Sequence, residues 1–198
     1  MKYVNPCNTV EFYVGEITGT TPQTVKIYTD ATNFDDVQVS EGNKWYSYVI
    51  PKDKGLCKIE SGTYDTDTEE WSNGIVKKVV VKANINYNYD ENKNRYNGIV
   101  PWEITEASFK GSNTSNVTNM YGIFRGCSGL TSLDVSSFDT SNVTNMDGIF
   151  RGCSGLTSLD LSNFNTSKVT NMAWMFAGSD KLTSLDLSSF NTSNVTKM

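Results

Sequence analysis

The sequence has no histidine among its 198 residues and only four prolines and four cysteines. The missing imidazole excludes Ser-His-Asp and Cys-His nucleophile systems, histidine-ligated metals and the usual proton carrier near pH 7. The cysteines are scattered with no C-x-x-C pair, so the common zinc pattern is excluded too. No apolar run approaches the roughly 20 residues needed to cross a bilayer, and no membrane span is expected. Seventeen basic against 22 acidic residues give a net charge of −5, which leaves no basic footprint for nucleic acid. There is no phosphate-binding glycine loop and no nucleophile elbow. The first residues, MKYVNPCNTVEF, hold no apolar segment followed by a small-residue cleavage site, so no secretory leader is expected. No enzyme and no cofactor is expected from this alphabet.

What the chain does have is a repeat. Residues 116–141, 142–167 and 168–193 align without gaps at a period of 26, and a fourth copy begins as NVTKM at 194–198. Self-similarity at such a period marks a stacked array. Upstream, ASFKGSNTS at 107–115 reads as the end of a copy carrying three extra residues. A degenerate first unit is what a cap shows, so residues 101–115 are expected to cap the array.

Within each copy Leu130, Leu133 and Val135 follow L-x-x-L-x-L, as do Leu156, Leu159, Leu161 and Leu182, Leu185, Leu187. This spacing predicts one short strand per copy, with Phe138, Phe164 and Phe190 packed inward at the next corner. Val117, Met120 and Phe124 recur as Val143, Met146, Phe150 and Val169, Met172, Phe176. Spacings of three and four predict a helical turn or two there, started by Asn116 or Asn142 and ended by Gly126, Gly152 and Gly178 in left-handed conformation.

The repeated string LTSLDLSxFxTSNVTNMxxMFxGCxxL resembles the 26-residue repeat of BspA-like leucine-rich surface proteins of bacteria, which also occur in phage and microbial genomes. The resemblance covers about residues 107–198. It implies a leucine-rich-repeat-like solenoid on an adhesin-like surface protein, and no shared catalytic residues.

Residues 1–100 hold no copy of the repeat and read as β-structure. Val10–Val14, Val25–Ile27 and Val37–Val39 alternate, Lys44–Ile50 is aromatic-rich, and Ile75–Tyr89 is a long β-branched stretch. Turn-forming residues separate them. The expectation is a mainly β protein with short helices, an N-terminal β-sandwich or barrel (1–100) followed by a leucine-rich-repeat-like α/β solenoid (101–198).

Two sets of residues are candidate binding sites. Asp134, Asp160 and Asp186 occupy the outward position of each L-x-L segment, where strands about 4.8 Å apart would stack three carboxylates in a column. A ligand face and local capping by the neighbouring Ser and Thr hydroxyls are both open at this point. The second set comprises positions that change between copies. Tyr121, Asp147 and Ala173 differ at one, Gly122, Gly148 and Trp174 at the next, and Arg125 and Arg151 give way to Ala177. Varied positions on an unvarying frame are how a repeat array displays a recognition surface, and Trp and Arg dominate binding hot spots. Drift at unconstrained sites gives the same pattern.

Lesser candidates are solvated turns at 65–70 and 90–94, a sugar-stacking platform of Trp45, Tyr46, Tyr48 and Trp71, buried thiols at Cys127 and Cys153, and a Cys7–Cys57 pair. No metal is expected. The N-x-S/T sequons at Asn113, Asn116, Asn142, Asn165, Asn191 and Asn194 follow from the repeat.

The expected function is non-enzymatic. The β-part docks to a larger assembly and the repeats are displayed, on a phage virion surface given the missing leader. A bacterial cell-surface adhesin and a carbohydrate-binding module are the alternatives. Expected partners are a protein or other subunits of the chain, met through the β-part and an uncapped last rung at Met198, and a cell-surface glycan.

Overall fold

The alternating and β-branched runs of the N-terminal half become strands in the computed structural model, which describes residues 8–18, 21–29, 33–51, 53–61, 63–65, 70–72, 74–87, 98–101 and 103–198. Thr9–Val14 (β1) lies between Lys44–Val49 (β4) and Val76–Lys82 (β8), antiparallel to both. Glu106–Ser108 (β9) runs parallel to β8, and Ser132–Asp134 (β10) runs parallel to β9. The resulting five-stranded sheet has the order β10-β9-β8-β1-β4. A second sheet holds Gln23–Tyr28 (β2) between Phe34–Val39 (β3) and Lys58–Ser61 (β5), and Thr63–Asp65 (β6) pairs with Glu70–Ser72 (β7).

Period-two alternation sets what these strands bury. Val10, Phe12 and Val14 of β1 and Val25 and Ile27 of β2 have no exposed surface. They belong to a core that continues through Val79 and Val81 into Phe109, Met120 and Phe124 of the repeats. The N-terminal half and the repeat half therefore share one sheet and one core. The long β-branched stretch from Ile75 supplies a strand only as far as Lys82, after which single bridges at Asn84 and Ile85 carry the pairing.

Three expectations are corrected. No closed barrel forms; the N-terminal strands make open sheets. Among the described residues there is no helix, and Val117–Phe124 runs through turns. The reason lies in the donors. Met120, Gly122, Phe124 and Gly126 donate their backbone N–H groups to Asn145, Asp147, Ile149 and Arg151 of the next copy at 2.7–3.0 Å, leaving none for the i−4 carbonyl a helix requires. The strand expected in every copy forms only in the first, as β10; residues 158–160 and 184–186 are not strand. Between the second and third copies the bonding runs through Met146, Gly148, Phe150 and Gly152, whose N–H groups donate to Asn171, Ala173, Met175 and Ala177.

The copies are stacked by repeated contacts. Parallel bridges join Asn119 to Asn145, Asn145 to Asn171 and Asn171 to Lys197, each one period apart. Phe124, Phe150 and Phe176 stack ring on ring at 5.8 and 5.7 Å, and Phe138 stacks on Phe164 at 6.4 Å. Burying each such ring contributes about 1.5–3 kcal/mol. At the corner two residues after Ser112, Phe138 and Phe164 a threonine is buried. Thr140 Oγ1 donates to the Asn165 carbonyl (3.1 Å) and accepts from the Asn165 N–H (2.8 Å). Thr114 treats Asp139 in the same way, and Thr166 treats Asn191.

The first rung also differs from the sequence reading. Ser112 N bonds to the Phe109 carbonyl just as Phe138 N bonds to that of Val135. Phe109 thus stands one plain period before Val135, without three extra residues. Ser112 takes the place of an inward Phe and stays satisfied by donating its buried hydroxyl to the Val81 carbonyl at 2.8 Å. Through that bond and the β8–β9 pairing the array is joined to the N-terminal sheet.

Replacing Thr140 with Val keeps the shape and strands the amide and carbonyl of Asn165. The expected loss is about 1–3 kcal/mol. Thr144→Val, which removes the exposed Thr144 hydroxyl bonded to the Thr118 carbonyl, is expected to cost under about 1 kcal/mol. Urea unfolding of the two variants checks this ordering; equal losses would contradict it.

Candidate recognition surface

The Asp column is built from local turns. Asp134 Oδ1 accepts from the Ser136 N–H at 3.0 Å and the Ser136 hydroxyl at 2.6 Å. Asp160 and Asp186 accept from the N–H of Ser162 and Ser188 at 3.0 and 2.8 Å. These are Asx turns, which satisfy a backbone donor that would otherwise need water. The Ser136 hydroxyl and N–H hold the Asp134 carboxyl below its usual range, while the neighbouring Asp160 carboxylate pushes weakly the other way. Asp160 and Asp186 are held down chiefly by the Ser162 and Ser188 amides. Hydrogen bonding thus outweighs repulsion along the column, with the Lys110 ammonium assisting at Asp134.

The positions that vary are brought into columns by the stacking bonds. Gly122 N donates to the Asp147 carbonyl and Gly148 N to the Ala173 carbonyl, 2.9 and 2.8 Å, while Gly126 N donates to Arg151 at 2.7 Å. Arg125 and Arg151 are therefore rung neighbours. Arg125 Nη1 donates to the Tyr121 hydroxyl at 3.1 Å. The Arg151 guanidinium lies 5.1 Å from the centre of the Trp174 ring. Asp147 accepts from the Asn171 side-chain amide at 3.2 Å. Among the described residues neither arginine has a carboxylate within ion-pair distance. No hydrogen bond or ion pair among them links this group to the Asp column.

Gly122, Gly148 and Trp174 occupy the same left-handed turn, with φ of 57°, 58° and 57°. In two copies the residue is glycine, which reaches this region without strain. A side chain there costs roughly 1–2 kcal/mol, and Trp174 is in addition 62% exposed. A cation–π contact at an exposed site returns about 0.5–1 kcal/mol, which does not outweigh the strain. The other non-glycine at positive φ among the described residues is Asn43, a type that adopts this conformation readily.

The other expectations resolve individually. Cys127 and Cys153 are buried, and burial pushes the first thiol well above its ordinary value and the second up to about 12. Cys153 donates to the Phe124 carbonyl (3.1 Å), and Ser179 takes the same place one copy on, donating to Phe150 at 2.8 Å. Gly126, Gly152 and Gly178 are left-handed as expected, at φ 78°, 75° and 73°. Asn142 caps no helix; its amide reaches back to the Ser115 carbonyl of the preceding copy at 2.9 Å.

Trp45 does not share a face with Tyr46 and Tyr48. It leans on Tyr13, whereas Tyr46 stacks on buried Phe12 at 5.8 Å. The remaining platform residue, the Trp71 side chain, lies outside the described residues, as do Cys7, Trp102, the acidic turn at 66–69 and that at 90–94. Among the described residues no group of three or more Asp, Glu or Cys is placed to hold a metal, and no helix is long and apolar enough to cross a membrane.

Sequence reasoning missed the buried threonines and the left-handed turn at 122, 148 and 174. The signal for both was there: a Thr that never varies within a polar run, and two glycines at one repeat position.

The repeat half matches a family model described as "Mycoplasma protein of unknown function, DUF285" over residues 100–198, and the chain belongs to that family. No curated protein and no solved structure matches the chain.

Because the three column carboxylates are held below their ordinary range, the native chain binds fewer protons than the unfolded one in acid. Their stabilisation is complete above about pH 5 and is lost as pH falls through the depressed values. Melting temperatures between pH 6 and pH 2 should fall less steeply in the Asp134→Asn, Asp160→Asn, Asp186→Asn triple variant than in the parent. Parallel profiles would contradict the assignment.

Proposed function

We infer that the protein is a non-enzymatic recognition protein. In this reading the stacked copies form a solenoid displayed for binding, and the N-terminal sheets dock it to a larger assembly. The observation that carries the reading is the alignment of varied side chains on a frame that does not vary. Phe, Thr and Asn recur at positions that bond one copy to the next, and Tyr, Asp and Arg appear where a change leaves those bonds intact. A non-enzymatic role is supported by the chemistry of the remaining groups. The sequence has no histidine, the buried thiols of the repeats are held protonated, and the recurring carboxylates are engaged in their own turns.

The resemblance of the repeat to BspA-like surface proteins supports display on an exterior. A virion surface and a bacterial cell surface are both settings for the same display, and they differ in what the N-terminal sheets dock to. Labelled full-length chain should bind intact cells or particles saturably. A variant with Tyr121→Ser, Arg125→Ala, Asp147→Ala, Arg151→Ala and Trp174→Gly together should lose that binding while keeping a cooperative melt. Undiminished binding by this variant would place recognition elsewhere. Whether the chain fractionates with particles or with cell envelopes assigns the setting.

A further inference from the structure

Each copy offers main-chain donors on one side and carbonyls on the other. Gly122 N and Phe124 N of the first copy meet the carbonyls of Asp147 and Ile149 at 2.9 and 3.0 Å, and Gly148 N and Phe150 N meet those of Ala173 and Met175. Tyr121 and Ile123 stand one period before Asp147 and Ile149, and the sequence ahead of them holds no copy of the segment that would supply their donors. Their carbonyls are met all the same. The Tyr87 hydroxyl donates to the Tyr121 carbonyl at 2.8 Å, and the Ile99 N–H donates to that of Ile123 at 2.8 Å. These are the places that Gly122 N and Phe124 N take one copy on. The approach is close, since a Cβ on Gly98 would lie 2.5 Å from the Ile123 carbonyl oxygen. A phenol and a main-chain amide from the N-terminal half thus imitate a rung. They are buried, and the Ile59 N–H of β5 holds the Ile99 carbonyl from behind at 3.0 Å.

The third copy carries the complementary groups. The N–H groups of Trp174, Phe176 and Gly178, counterparts of those of Gly148, Phe150 and Gly152, have no acceptor among the described residues. Beside them the exposed Leu187 and Met198 line an apolar groove with Met172 and Phe190. Two such donor edges do not pair with each other. In a second folded chain the matching edge is the one at Tyr121 and Ile123, and it is covered. A head-to-tail contact is heterologous and propagates where it does not close, and edges able to pair are ordinarily blocked. We propose that Tyr87 and the Gly98–Ile99 pair are an autoinhibitory guard, which occupies the first copy's carbonyl edge and keeps chains from stacking head to tail through the repeat interface. The guard is independent of the recognition reading, which concerns the side-chain strip.

The test follows the mass of the full-length chain by sedimentation velocity over a range of concentrations. The parent should remain at the mass of one chain. Gly98→Val, whose side chain drives the turn off Ile123, should sediment as multiples that grow with concentration. Tyr87→Phe, which removes one donor and keeps the ring, should do so to a smaller degree, and it carries the test if Gly98→Val does not fold. Adding Leu187→Asp and Met198→Asp to either variant should restore the single-chain mass, because they charge the exposed apolar end and leave the guard untouched. A cap that only stabilises would lower the melting temperature of both variants and leave their mass unchanged; that result overturns the proposal. Head-to-tail stacking by the parent, or multiples that persist with the two aspartates, overturns it as well.

Discussion

Every copy depends on how one corner of the backbone is satisfied. After the inward Phe the chain leaves any strand ladder, and the N–H and C=O of residues 139, 165 and 191 face the interior. A buried, unpaired main-chain group costs about 1–3 kcal/mol. A single threonine hydroxyl from the preceding copy answers both groups at once, donating to the carbonyl and accepting from the amide. That geometry fixes the spacing between copies, brings Phe124, Phe150 and Phe176 to stacking distance, and ties the array to a strict period. It also explains why so polar a sequence has a core. Many of its hydroxyls and amides act as main-chain partners and are not solvated decoration.

The period, the inward Leu, Phe and Met positions and the strands of the first 50 residues were legible because each follows from hydrophobic spacing. What was not legible followed from hydrogen bonding across copies. The spacing of Val117, Met120 and Phe124 describes a buried face equally well for a helix and for a chain of turns, and only the destination of the N–H groups separates the two. The same holds for L-x-L, which recurs in all three copies yet pairs as a strand in one, and which buries Leu159 and Leu161 in the second copy while Leu187 of the third stays exposed. Ser112 is a third case: a polar residue read as belonging to an insertion occupies an inward Phe position because Val81 offers it a carbonyl.

Of the candidate sites, the Asp column was recognisable and its local capping was among the readings, since Ser two residues after each Asp is an Asx-turn pattern. The varied strip was recognisable as variation, and the stacking bonds make its positions into neighbours. What the sequence could not supply was the conformation of position 174.

That conformation changes the weight of the strip. Variation alone is what neutral drift produces on a solvated face. Drift selects residues that the backbone tolerates, and a left-handed turn occupied by glycine in two copies tolerates tryptophan poorly. Tyr121, Asp147 and Ala173, which sit in ordinary conformations, fit drift without difficulty. Trp174 does not, and the residue it covers, Arg151, has no carboxylate within ion-pair distance among the described residues that would make the pair a structural one. The distinction between a display surface and an unselected one therefore rests on a single backbone angle, read against its two equivalents in the same chain.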